Sequence, residues 1–165
     1  MRKPKPLSDI SVEDLKQIYL RKLARAPQTR AGLVRYAIER EIPETTYLPV
    51  INRFIEVGLI NDAEYAAMYV RSRRAIRGSG PKTLRMELQH KGIEPDLIDL
   101  AVAARPGDDF EVALRIAERK LQSLRRLPVD KSKKRVLDFL LRRGYDYTIV
   151  SQVLAELNFE LEVGD

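Results

Sequence analysis

Few residues in this chain invite chemistry. Gly78-Ser79-Gly80-Pro81-Lys82-Thr83 gathers two glycines, a lysine and a hydroxyl, the ingredients of a loop whose backbone N–H groups wrap a phosphate. Its spacing departs from that of a full phosphate-binding loop, and no strand-like segment precedes it. His90 is the single histidine and stands two residues before Gly92, where the last turn of a helix favours a cation. The carboxylate pairs Glu94/Asp96 and Asp108/Asp109 fall at helix starts, where acids complement unpaired N–H groups. With no Cys and one His in 165 residues, thiolate sites, cysteine nucleophiles, disulfides and multi-histidine metal sites are excluded, as is a Ser-His-Asp triad. No catalytic residue, metal or cofactor is expected. Interaction remains.

Positive charge is what the sequence concentrates. The formal net charge of +6 hides a segregated pattern. Between Arg71 and Lys91 seven basic residues face Glu87 alone, and between Arg119 and Arg143 ten face only Asp130 and Asp138. The stretches 92–118 and 144–165 each sum to −5, while the first 70 residues are nearly balanced. Such segregation builds local potentials that attract polyanions or acidic protein surfaces better than the same charge spread evenly. The candidate binding residues are therefore Arg71, Arg73, Arg74, Arg77, Lys82, Arg85 and Lys91, with Lys133, Lys134, Arg135, Arg142 and Arg143 as a second contact. On a helix Arg73, Arg74 and Arg77 share one stripe with Val70 and can act together. Tyr69 is the aromatic nearest the basic residues, so base stacking is not a strong expectation.

The elements that must carry these charges are helices. Apolar spacings of three and four recur, and no segment alternates with period two for long. Leu15, Ile18, Tyr19 and Leu23 form one helical face, opened by Ser11 with Asp14 three residues on. Thr29 caps a second helix with Leu33, Tyr36 and Ala37. Val50, Ile51, Phe54 and Ile55 mark a third, where Pro49 is tolerable only in a first turn. Asn61 and Glu64 form the start of a fourth, with Ile60 and Tyr65 at the flanking apolar positions, and it runs to about Ile76. Pro81 opens a fifth and Pro95 a sixth, which Pro106-Gly107 ends. Asp108 caps a seventh, and Lys133–Leu141 and Thr148–Leu157 complete nine.

These helices repeat. Leu33, Leu84 and Val136 are 51 and 52 residues apart, and the same offset aligns Ala37, Leu88 and Leu140. It also aligns Ile42, Ile93 and Tyr145, then Tyr47, Ile98 and Val150. Gly92 and Gly144 suit the left-handed position that ends the middle helix, with Ile93 and Tyr145 folding back over Leu88 and Leu140. The first unit has Glu41 there, so its turn is expected to be made another way. The expected fold is all-α: three tandem three-helix repeats stacked into an elongated, curved array. The boundaries are a basic tail 1–8, repeats 9–60, 61–107 and 108–159, and an acidic tail 160–165. No apolar run approaches the roughly 20 residues of a membrane span, and a soluble cytoplasmic monomer is expected.

One segment is recognisable. Glu56-Val57-Gly58-Leu59-Ile60-Asn61-Asp62-Ala63-Glu64-Tyr65-Ala66 leads to Tyr69-Val70-Arg71-Ser72-Arg73, to Gly78-Ser79-Gly80-Pro81, and to Glu87-Leu88-Gln89-His90-Lys91-Gly92-Ile93. This resembles the central block of the RecX family, regulators of the RecA recombinase. Lys134-Arg135-Val136-Leu137-Asp138-Phe139-Leu140-Leu141-Arg142-Arg143-Gly144-Tyr145 resembles that family's third-repeat signature. The aromatic usual between the two glycines is Ser79 here, and Asn61-Asp62 replaces an acidic pair. The resemblance implies three tandem three-helix repeats and a non-enzymatic modulator with two partners, the RecA nucleoprotein filament and DNA, single- or double-stranded. It would bind the filament groove, slow ATP hydrolysis and strand exchange, and limit filament growth in recombination, DNA repair and the SOS response. The competing expectation is a stand-alone DNA-binding protein of helix-turn-helix type.

Overall fold

The computed structural model describes residues 6–103 and 108–158. Pro106-Gly107, expected to end the sixth helix, lies outside them, as does the acidic tail. The described residues form nine α-helices and no strand. They are α1 (Val12–Arg25), α2 (Arg30–Glu39), α3 (Glu44–Glu56), α4 (Asp62–Arg77) and α5 (Pro81–His90), then α6 (Pro95–Ala103), α7 (Asp108–Gln122), α8 (Val129–Arg142) and α9 (Tyr147–Glu156).

The starts follow local chemistry. Ser11 Oγ accepts from the Asp14 N–H at 3.1 Å, Thr29 Oγ1 from Gly32 at 2.9 Å, and Asn61 Oδ1 from Glu64 at 3.1 Å. Each satisfies an N–H group that the helix itself cannot pair. Asp146 does the same for Ile149, starting α9 one residue before Thr148. The α8 helix begins at Val129, four residues earlier than the apolar spacing indicates, directly after Pro128, and Ser132 N–H donates to Pro128 O at 3.0 Å.

Pro49 corrects the expected start of α3. It lies inside the helix, five residues past Glu44, not in the first turn. A mid-helix proline removes one hydrogen bond and crowds the preceding turn, at a cost of about 3 kcal/mol. Pro49 and Thr45 are both exposed, so water reaches the carbonyl left over. Burial of Tyr47, Val50, Ile51 and Phe54 on the opposite face outweighs the loss, at roughly 1.5–3 kcal/mol for each large apolar side chain.

All twelve positions of the repeat are buried. Leu33, Leu84, Val136, Ala37, Leu88 and Leu140 have no exposure at all, and the other six are at most 8% exposed. The chain packs as two compact units. One comprises the residues up to Ala67 with Leu88–Ile98, the other Met68–Glu87 with the residues from Asp99 onward, so α4, α5 and α6 contribute to both. In the first, Leu15, Tyr19, Leu33, Ile51 and Phe54 form the core, and Tyr19 donates to Leu33 O at 3.0 Å. In the second, α7, α8 and α9 enclose Ala113, Ile116, Val136, Leu140, Val150 and Leu154.

Each middle helix ends in the same turn. Ile93 N–H donates to Leu88 O and Tyr145 N–H to Leu140 O, each at 3.2 Å, across glycines with φ of 77° and 90°. Glu41 was expected to need a different turn and does not. It takes φ 58°, and Ile42 N–H donates to Ala37 O at 3.0 Å, as in the other two repeats. What differs is what sits against the turn. A Cβ on Gly92 would strike the Ala31 methyl, and one on Gly144 would strike Thr83, the residue 52 positions after Ala31. The start of α2 thus docks on the turn after α5, with Thr29 Oγ1 donating to Lys91 O at 3.0 Å. The start of α5 docks on the turn after α8, with Gly80 N–H donating to Arg143 O at 2.7 Å and Lys82 N–H to Gly144 O at 3.0 Å. Glu41 is exposed, so nothing demands a glycine there beyond the modest strain of the left-handed region.

Candidate functional site

The glycine-rich loop is committed to this docking. Its Gly80 and Lys82 N–H groups donate to Arg143 and Gly144, and Tyr145 Oη donates to Gly78 O at 3.2 Å. Burial pushes the Tyr145 phenol up, with Asp109 adding to the effect. The backbone donors that would hold a phosphate are therefore spoken for. Among the described residues no group of three or more His, Asp or Glu side chains could hold a metal ion, and no helix is long and apolar enough to cross a membrane.

The first basic stretch is largely engaged with its own unit. Ala66, Val70 and Arg74 share an i, i+4 stripe, and that stripe faces inward, at 0, 3 and 7% exposure. Arg74 therefore leaves the surface set expected from the sequence. Its Nη2 donates to Val102 O at 2.9 Å and to Asp109 Oδ1 at 2.7 Å, which makes burial of the guanidinium tolerable. The Arg73 guanidinium lies 4.8 Å from the Tyr69 ring centre, with its Nε 3.5 Å from Glu87 Oε2. Tyr69 Oη donates to that same carboxylate at 2.9 Å, and burial pushes its phenol up. Arg85 is exposed but meets Asp99 at 3.0 Å. In the first unit, Lys91 lies 5.9 Å from the Tyr65 ring. Arg71, Arg77 and Lys82 remain exposed.

The second stretch differs. Ser132, Val136 and Leu140 turn α8 inward, which leaves Lys131, Lys134, Arg135 and Arg142 exposed and Lys133 and Arg143 half-buried. Among the described residues none of the ten cations between Arg119 and Arg143 forms an ion pair. Arg119 and Lys120 close the last turn of α7, where they also offset its dipole.

The two stretches meet at one place. Arg77, Arg119, Lys120 and Arg143 line an open depression of about 370 Å³ with Ile76 and Phe139, and no carboxylate among the described residues lines it. Arg143 also donates through Nη1 to Arg77 O. A second depression of about 430 Å³ carries Arg125, Arg126 and Arg135 and shares Ser123 with the first. Arg119, Lys120, Arg125 and Arg126 were visible in the charge pattern but not among the candidate residues. Phe139 was missed too, although it stands four residues before Arg143, one helical turn away. Its ring centre is 5.0 Å from the Arg143 guanidinium carbon and 5.8 Å from Lys120 Nζ.

Known proteins resemble this chain along most of its length. Residues 61–102 match the family model described as RecX, second three-helix domain, and residues 107–154 match that of the third three-helix domain. Regulatory protein RecX of Streptomyces coelicolor is 39% identical over 160 residues, 93% of this chain and 85% of that protein. Regulatory protein RecX of Thermobifida fusca is 35% identical over 156 residues, 92% and 84% of the two chains. The crystal structure of RecX from Lactobacillus salivarius superposes with a TM-score of 0.81 over 90% of this chain and 97% of that one, at 24% identity. That likeness concerns the fold: tandem helical repeats. With a buried three-fold repeat, matches to two successive family domains and relatives this similar over nearly their whole length, the chain belongs to the RecX family of regulatory proteins.

Proposed function

We propose that this chain, as a monomer, regulates RecA by docking the basic α7–α8 face on the RecA–DNA filament. In doing so it slows ATP hydrolysis and strand exchange and limits filament growth. The observation that carries this reading is the set of ten cations between Arg119 and Arg143, none in an ion pair among the described residues. Cations that no described carboxylate neutralises keep their attraction for phosphates, and each phosphate neutralised releases a counterion. Family membership supports RecA as the partner. Single- or double-stranded DNA would be bound with little sequence preference, because side chains directed at phosphates carry no base information.

The test is RecA ATPase on single-stranded DNA, titrated with the protein at substoichiometric ratios. Turnover should fall with the wild type. It should recover when Arg119, Lys120 and Arg135 are all replaced by Glu, with helicity unchanged. Full inhibition by that variant removes the α7–α8 face from the mechanism. No inhibition by the wild type, together with preference for one duplex sequence, replaces this reading by a self-sufficient DNA-binding protein.

A further inference from the structure

The Arg143–Phe139 pair has a geometry that phosphate attraction does not require. The guanidinium lies over the ring at 5.0 Å, and Nη1 is tethered to Arg77 O. The backbone of the same residue is fixed as well, since Arg143 O accepts from Gly80 N–H at 2.7 Å. A planar cation held by a ring and a carbonyl, on a backbone that is itself fixed, is a rigid platform, and its outer face remains partly open because Arg143 is only half-buried. Beside it stands Ile76, at 78% the most exposed large apolar side chain among the described residues. Arg77, Arg119 and Lys120 line the depression with Ile76 and Phe139, and no acid among the described residues lines it.

We propose that this depression takes one nucleotide of a single strand, its base stacked on the Arg143 guanidinium and against Ile76, its flanking phosphates on Arg77, Arg119 and Lys120. The inference rests on the reading that the α7–α8 face meets DNA, and names the contact within it. Base faces stack on guanidinium planes and on aromatic rings irrespective of base identity. The depression falls within the size range of small-ligand pockets, roughly 300–1,000 Å³. The adjoining depression with Arg125, Arg126 and Arg135 continues the cationic lining, which suits a strand carrying a phosphate at every step better than an isolated nucleotide. An acidic peptide offers the same charge without a flat face for the guanidinium.

The experiment measures binding of the full chain alone, without RecA, to labelled oligo(dT). The comparison strand has equal length and phosphate number and lacks its bases. The wild type should bind the natural strand about tenfold more tightly, within the range that stacking of a base supplies. Ile76→Ser, at an exposed position, should reduce that ratio to about two. Arg143→Lys, which keeps the charge and loses the plane, should do the same. Arg119→Gln should weaken both strands equally. Equal binding of the two strands by the wild type overturns the proposal. So does an acidic peptide of matched charge that binds as tightly as oligo(dT) and is weakened by Ile76→Ser. Base-dependent binding without RecA inhibition would sustain this contact and remove the regulatory reading, and the converse result would do the opposite.

Discussion

The stretches 71–91 and 119–143 carry comparable charge on paper, +6 and +8, and spend it differently. In the first, Arg73, Arg74 and Arg85 face Glu87, Asp109 and Asp99, and Arg74 is buried. In the second, no cation forms an ion pair among the described residues. The difference follows from where acids lie. The acidic stretch 92–118 supplies Asp99 and Asp109, which the fold brings back to α5 and α4. A count of charges along the chain identifies where cations are dense, whereas their availability depends on tertiary neighbours.

That contrast can be broken by substitution. Arg74→Ala should have the largest effect, because it removes a buried guanidinium that donates to both Asp109 and Val102 O. A loss of about 3 kcal/mol is expected, a fall in melting temperature on the order of 10 °C by thermal unfolding. Replacing Arg119 and Lys120 together by Gln should leave the melting temperature within about 4 °C and raise the concentration needed for half-inhibition of RecA by roughly tenfold, about 1.4 kcal/mol. The same replacement at Arg71 and Lys82 should raise it less than about threefold. An equal effect from both pairs would erase the distinction between the stretches.

Salt dependence sharpens the comparison further. If about five side chains meet single-strand phosphates, log K should fall against log salt with a slope near −3.5, and each neutralised contact should lessen it by about 0.7. Gln substitutions at Arg119, Lys120 and Arg135 should therefore flatten the slope by about 2, where Gln at Arg73 and Arg85 leaves it unchanged. Arg85→Ala should be the mildest change, within about 0.5 kcal/mol by denaturant unfolding, because its pairing with Asp99 is exposed to solvent.

Much of the fold is legible without coordinates because its signals are local. Ser11, Thr29 and Asn61 announce helix starts through their own side chains, and the four apolar columns of the repeat are all buried. Pro49 shows where such signals fail: the burial that holds α3 together lies on the far side of the helix from the proline, beyond any rule about the first turn. The candidate surface was half legible. Arg135 and Arg143 line the two depressions and Arg142 is exposed, but Arg74 repeats the spacing of Ala66 and Val70, and that spacing is the mark of an inward face. Only knowledge of what α4 packs against distinguishes an arginine on such a stripe from one in solvent. The nearness of Arg77 to Arg143 is 66 residues distant in sequence, and no local pattern encodes it.

Gly92 and Gly144 hold a lesson about evolution by duplication. Both abut a neighbouring helix start so closely that a single added methyl would force the copies apart, while Glu41 meets no such helix among the described residues and carries a full side chain. A seam that admits no side chain leaves its glycines no freedom to drift, whereas the residue at the unmatched edge can diverge toward charge. The same position can thus demand glycine where a helix start is seated against it and accept a side chain where the turn is exposed.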